Sequence, residues 1–199
     1  GCDVTEIRHR GRSLEMYLLE TSLLLDLIAG YKSRGYYSIV DVVRDYRHSL
    51  SICDYEYSGY AAVIDSVEQY FRASMELLDR DVWEQLFLPS RPIYTKVKDE
   101  PPTKYGQEGH VKRSMVANGC VIEGTVENSI VFRSVKIGKG AVVRNSIIMQ
   151  KCQIGDGCVL DGVIMDKDAK VEPGVVLQGT AERPFIVRKG TVQGEVISR

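Results

Sequence analysis

Three histidines, His9, His48 and His110, and five cysteines, at positions 2, 53, 120, 152 and 158, have the widest chemistry open to them in this 199-residue chain. A histidine held against a hydroxyl or amine serves as a general base, and three converging histidines bind zinc. The cysteines form no C-x-x-C pair. A chain of this size builds a core without disulfides, so reduced thiols in a cytoplasmic protein are the expectation. Whether any of these side chains works depends on the elements that carry them.

Those elements are dominated by a repeat. Ile137-Gly138-Lys139-Gly140-Ala141-Val142 returns as Ile154-Gly155-Asp156-Gly157-Cys158-Val159, and in looser form as Val116-Ala117-Asn118-Gly119-Cys120-Val121 and Val171-Glu172-Pro173-Gly174-Val175-Val176. Each copy runs into a second phrase with an aliphatic residue first and a small residue fourth, as in Val143-Arg144-Asn145-Ser146-Ile147. The first positions lie 21, 17 and 17 residues apart, close to three hexads, and three hexads make one triangular turn. The reading is a parallel β-helix in which each hexad supplies a short strand and a corner, with one aliphatic side chain pointing inward per face. Residues 116–182 are expected to form the stacked coils, with Val116, Ile137, Ile154 and Val171 in one inward ladder.

This register assigns the cysteines of the coils to packing. Cys120 and Cys158 occupy the hexad position filled elsewhere by Ala141 and Val175, and Cys152 falls on the less regular third side. All three histidines precede Val116, so no coil-borne histidine is expected to act as base or ligand. That counts against a hexapeptide-repeat acyltransferase, which ranks second as a functional reading.

Composition narrows the classes further. Lys plus Arg number 26 against 27 Asp plus Glu, a net charge of −1, so no field of one sign exists to attract nucleic acid or an anionic membrane surface. No apolar run approaches the roughly 18 residues of a membrane span, and the start, Gly1-Cys2-Asp3-Val4, carries neither an initiator Met nor a signal-peptide pattern. A soluble fragment is the expectation.

Upstream of the coils the period turns helical. Thr21-Ser22-Leu23-Leu24-Leu25 opens a helix that Gly30 should stop, and Ser38-Ile39-Val40-Asp41 is a capping box with Asp in place of Glu. A third helix is expected over 63–78 on the stripe Ile64, Val67, Phe71, Met75 and Leu78. Residues 14–19 and 50–57 alternate as strands. Four prolines between 87 and 102 mark a linker, with an edge strand at 93–96.

The helix segment "SVEQYFRASMELLD", the crossing "PPTKY" and coils opening "GCVIEGTVENSIVF" follow one another in an order that resembles the carboxyl-terminal part of bacterial glucose-1-phosphate adenylyltransferases, over residues 15–196. The resemblance implies a mainly β chain: a closing α/β portion of a nucleotidyltransferase domain over 1–80, a Pro-rich linker over 81–110, and a left-handed parallel β-helix with a carboxyl-terminal cap over 111–199. Catalytic members open with a Gly-rich nucleotide loop, which this chain lacks. They also carry a G-Y-W-x-D-V-G-T-I stretch whose Asp holds Mg²⁺. The matching residues 57–63 place Tyr60 at that Asp, and a phenol does not replace a carboxylate on Mg²⁺. Either Asp54 or Asp65 serves instead, or catalysis is lost. The closer resemblance, to the non-catalytic GlgD-type subunits, implies loss.

The resemblance therefore implies no catalytic, cofactor-binding or metal residue in this chain, with Mg²⁺ and ATP belonging only to a complete catalytic subunit. It implies a regulatory or assembly role beside a catalytic homologue in ADP-glucose and glycogen synthesis, and a fragment serving another sugar nucleotide stays open. Arg113, Lys112, Arg133, Lys136, Arg183, Arg188 and Lys189 could meet a phosphate effector, but scattered basic residues usually form a solvated face. Self-association is expected through the flat faces of the coils, with Val131, Phe132, Ile148 and Met149 exposed. The segment 185–192 is expected to fold back as a strand and turn over the last coil, which Pro184 would interrupt.

Overall fold

The computed structural model describes residues 1–32, 38–95 and 98–194. Contacts gather into two units, Gly1–Val63 and Ile64–Arg199.

In the first unit β1 (Val4–His9) lies between β2 (Arg12–Leu19), antiparallel to it, and β3 (Ile52–Glu56), parallel to it. A shift of register between Ile7 and Arg8 accommodates Glu15, whose φ is +55°. Two helices follow β2 in the chain, α1 (Thr21–Lys32) and α2 (Ile39–Asp45). Ser38 caps α2 by accepting the Asp41 N–H at 3.3 Å, and its hydroxyl donates to the Asp41 carboxylate at 2.9 Å. Val42 and Val43 are buried. Gly30 does not stop α1. It sits inside the helix, where the Tyr46 hydroxyl comes within 2.9 Å of the place a Cβ would take, so close packing rather than chain termination is its role.

The expectation of reduced cysteines is corrected here: Cys2 and Cys53 form a disulfide, with Cα atoms 5.8 Å apart. The parallel pairing of β1 with β3 sets Thr5 beside Cys53 and so draws the start of the chain to it. A contact between residues 51 apart in sequence leaves no local pattern.

The second unit opens with α3 (Val67–Glu76), capped by Ser66, and α4 (Arg80–Leu86), capped by Asp79 and running into the segment 81–110 read as linker. Residues 93–95 carry no strand, and Lys96 lies outside the described residues. The solenoid begins earlier than the repeat indicated. Its first coil holds β4 (Lys104–Tyr105), β5 (His110–Lys112) and β6 (Met115–Val116). The second holds β7 (Val121–Ile122), β8 (Thr125–Glu127) and β9 (Ile130–Val131). Next come β10 (Lys136–Ile137), β11 (Val142–Arg144) and β12 (Ile147–Ile148), then β13 (Gln153–Ile154), β14 (Val159–Asp161) and β15 (Val163–Met165). The fifth coil is β16 (Lys170–Val171), β17 (Val176–Gln178) and β18 (Phe185–Val187), and β19 (Val192–Gln193) starts a sixth.

Strands stack in register into three parallel sheets, the first running β4 to β19, the second β5 to β17 and the third β6 to β18. Ile122, Ile137, Ile154 and Val171 form the inward ladder of the first sheet. Val116 does not belong to it. It pairs with Val131 in the third sheet, one face away from its expected place. The phrase around Val116 misleads because the same left-handed turn serves two corners: Gly140, Gly157 and Gly174 close the first-to-second corner, while Gly119 and Gly190 close the third-to-first, all with positive φ.

The interior is aliphatic on every face, with Val126, Val143, Leu160 and Leu177 inward on the second sheet and Val131, Ile148, Met165 and Val187 on the third. Each such side chain contributes about 1.5–3 kcal/mol by burial. Two further expectations change. Val131 and Ile148 are interior residues, and Met149 packs with α3, so of the four side chains read as exposed only Phe132 is. The outer side of the third sheet is covered by α3, with Phe71 against Ile147 and Ile164. Ile64 and Val67, read as part of the packing stripe of that helix, are exposed, and α3 begins only at Val67. At the far end, residues 185–193 do not fold back. Thr180 and Arg183 close a small loop around the insertion, after which Phe185 N–H donates to Gly162 O at 3.0 Å and the ladder resumes in parallel.

Candidate functional site

A group of polar side chains in the first unit lines one cavity. Alternation along β1 turns Val4 and Glu6 to the buried side, and Glu6 is 4% exposed. A buried carboxylate needs partners, and it has them: Arg47 Nη2 donates to Glu6 Oε2 at 3.0 Å and Arg8 Nη1 approaches the same oxygen at 3.4 Å. From β2, Ser13, Glu15 and Tyr17 line the same space. The α2 side contributes Val40, Val43 and Arg44, and together with Arg47 they enclose a cavity of about 220 Å³. Burial, reinforced by the Glu6 charge, raises the Tyr17 phenol above its ordinary value and keeps it a hydrogen-bond donor. Arg44 is shared with Asp41 at 3.5 Å. The lining offers donors and acceptors for a hydroxyl-bearing ligand, and Glu6, Arg47 and Arg44 among its charges are held in ion pairs. It holds no thiol or histidine.

Sequence reasoning named none of these residues as a site. Their one signal is an acid at an inward strand position, and Val4-Thr5-Glu6-Ile7-Arg8 does not alternate apolar with polar as a half-buried strand would.

The side chains that were named fall elsewhere. His9 Nδ1 lies 2.9 Å from the Tyr57 carbonyl oxygen, and His48 is exposed. His110 is borne on a coil after all, on β5, because the solenoid starts at Lys104; it is exposed on the outer second face, in line with Thr125 and Val142. Cys120, Cys152 and Cys158 are buried, and each thiol points to a backbone carbonyl, on Phe132, Asp166 and Glu172 respectively, at 3.0–3.1 Å. Burial pushes all three thiols up, Cys152 to about 11, so none is a ready nucleophile.

Asp54 lies on β3, 3.7 Å from Arg8, while Asp65 stands at the start of α3 in the other unit, its N–H donating to Gln69 at 3.2 Å. Among the described residues no three His, Cys, Asp or Glu side chains gather as a metal site. The basic residues disperse: Lys112 on the second face, Lys136 on the first, Arg113 and Arg133 at different corners, Arg183 in the insertion loop, and Arg188 with Lys189 after β18.

Residues 100–192 match the family described as GlmU-like, C-terminal hexapeptide. The whole chain is 91% identical to the glycogen biosynthesis protein GlgD of Geobacillus stearothermophilus. The chain matches GlgD proteins at high identity along its whole length. It is also 57% identical over 198 residues to the GlgD of Bacillus subtilis (strain 168), and it spans 58% of the length of both GlgD relatives. To the glucose-1-phosphate adenylyltransferase of Geobacillus stearothermophilus it is 43% identical over 89 residues, 45% of the chain and 23% of that relative. Likeness to GlgD thus runs through both units, whereas likeness to that adenylyltransferase covers under half the chain.

Proposed function

We propose that this chain is part of a regulatory and assembly subunit of glucose-1-phosphate adenylyltransferase, without nucleotidyl-transfer activity of its own, acting in the cytoplasm in glycogen synthesis. The observation that carries the reading is its identity, over its full length, to a relative named for glycogen biosynthesis and not for adenylyl transfer. The domain reading goes with it: residues 1–80 as the closing part of a nucleotidyltransferase fold, 81–110 as a crossing, and 111–199 as the solenoid.

The geometry supports this division of labour. Asp54 is engaged by Arg8, Asp65 belongs to a helix start, and Glu6 in the polar cavity is held by Arg47. The solenoid offers stacked, rigid faces suited to holding other subunits. Its partners are a catalytic homologue, in a mixed assembly, and a second copy of itself when isolated; nucleic acid and membrane are not among them. Among the described residues no helix is long and apolar enough to cross a membrane.

The test is release of pyrophosphate from ATP and glucose 1-phosphate with Mg²⁺ by the purified chain. No release above background is expected. Turnover that disappears in Asp54→Asn or Asp65→Asn would make the chain catalytic and overturn the reading. Although His110 sits on a coil, its place on an open flat face, with no hydrogen bond to its ring among the described residues, gives the acyltransferase reading no specific support.

A further inference from the structure

The outer side of the second sheet carries two rows of side chains, running along the solenoid axis on either side of the inward row. One row holds no acid, Lys or Arg: His110, Thr125, Val142, Val159 and Val176, the last two 37% and 49% exposed. The other row alternates in sign from coil to coil: Lys112, Glu127, Arg144, Asp161. Within the chain Arg144 Nε meets Glu127 Oε2 at 3.0 Å. The third sheet is covered by α3, so its outer side is not available in the same way.

An alternating row of four charges has a symmetry property. Read backwards, plus-minus-plus-minus becomes minus-plus-minus-plus. Two such faces brought together with their solenoid axes antiparallel are related by a two-fold axis that lies in the interface along the strand direction. That operation keeps each row opposite its own copy and reverses its order. Lys112 then faces Asp161 of the second copy, Glu127 faces Arg144, and the other rows meet with Thr125 over Val142 and His110 over Val159. Running the axes parallel instead sets the charged row against the aliphatic one, which desolvates charges without pairing them. We propose that the outer second face, with Lys112, Glu127, Arg144 and Asp161, is a self-complementary docking surface for an antiparallel second copy of this chain.

The face is small. Four coils about 4.8 Å apart, with strands of three residues, present a few hundred Å², below the roughly 800 Å² per partner of a standard interface. The pairing is accordingly weak and salt-sensitive, because much of its specificity resides in charges near solvent. It rests on the self-association in the reading above and specifies its surface. Pairing with a catalytic homologue is a separate property, read by a different experiment.

Sedimentation equilibrium of the full 199-residue chain, from about 10 to 500 µM at low and high salt, provides the test. A monomer–dimer equilibrium is expected, weakening as salt rises. Arg144→Glu sets glutamates against one another twice across the two-fold axis and should weaken dimerisation at least about tenfold. Adding Glu127→Arg to that variant exchanges the two central charges, restores complementarity, and should bring the dimer back to within about threefold of the starting affinity. Lys112→Glu repeats the break at the ends of the row. Recovery in the double variant cannot come from a general loss of folding. A chain that stays monomeric throughout, a dimer indifferent to Arg144→Glu, or a double variant as weak as the single one overturns the proposal.

Discussion

Asn128 and Asn145 stack one coil apart at the second-to-third corner, and the Asn128 side-chain amide donates to Asn145 Oδ1 at 2.7 Å. Asn145 in turn donates to Asp161 Oδ1 at 2.8 Å, so the corner is held by a side-chain ladder as well as by backbone bonds. Both asparagines have positive φ, +46° and +45°, a region that Asn tolerates better than most residues. Beside them runs a second ladder of buried hydroxyls: Ser129 Oγ accepts from Ser146 N–H, and Ser146 Oγ accepts from Val163 N–H, each at 3.1 Å.

This corner predicts an order among substitutions. Asn145→Ala loses both side-chain bonds and puts a Cβ-bearing residue without a local hydrogen bond at positive φ, a loss of about 2 kcal/mol. Asn145→Gly loses the bonds but not the backbone compatibility, and should be the more stable of the two by about 1 kcal/mol. Urea unfolding of the two variants reads the difference, and equal stabilities would remove the corner from the account.

Core and corner should separate as well, though less widely than the sequence suggests. Ile154→Ala leaves a cavity in the first-face ladder and should cost about 2–5 kcal/mol. Asp156→Ala reads from sequence as a nearly neutral corner change. In the structure Asp156 Oδ1 accepts the Lys139 N–H one coil away at 2.8 Å, so its loss should cost about 0.5–1.5 kcal/mol. Thermal denaturation of both variants checks the ranking.

The α3 helix is predicted to be held on the third sheet by one side chain above the others. Phe71, 3% exposed, packs with Ile147 and Ile164, and Phe71→Ala should cost about 3–5 kcal/mol. Limited proteolysis should then cut near α3 before it cuts the coils. A variant as resistant as the parent would show that the helix is secured elsewhere.

The thiol of Cys152 predicts an alkaline transition. Its value in the folded chain is pushed to about 11 from an ordinary 9.0, chiefly by burial. The folded state therefore holds the proton more tightly than the unfolded one. Its contribution to stability is complete below the ordinary value and is lost as pH rises through the folded value. Stability should fall between about pH 9 and 11, and Cys152→Ala should flatten that fall relative to the parent.

The repeat made the solenoid legible, because a period of six combined with recurring glycines has few other physical readings. Its phase was less legible. The local phrase describes a strand and a left-handed corner, and Val116-Ala117-Asn118-Gly119-Cys120 satisfies it as well as Ile137-Gly138-Lys139-Gly140-Ala141 does, though the two lie on different edges of the prism. The opening strands around Tyr105 and His110 escaped because Gly106-Gln107-Glu108-Gly109 resembles no other corner, and with them went the one coil-borne histidine.

Contacts between distant segments were invisible for a plainer reason. Cys2 meets Cys53, and Glu6 meets Arg47, only once β1 has paired with its neighbours. Likewise the burial of Met149 follows from α3 lying over the third sheet, which no periodicity within the coils records.

The central claim, a subunit that regulates without catalysing, is tested most directly by mixing this chain with the glucose-1-phosphate adenylyltransferase of Geobacillus stearothermophilus, 43% identical to it over 89 residues, and following sedimentation and pyrophosphate release together. The account predicts a faster-sedimenting species containing both chains, and a change in the enzyme's saturation by glucose 1-phosphate that depends on the amount of this chain added. Two components that sediment independently at about 10 µM each, with the enzyme's kinetics unchanged, would contradict it.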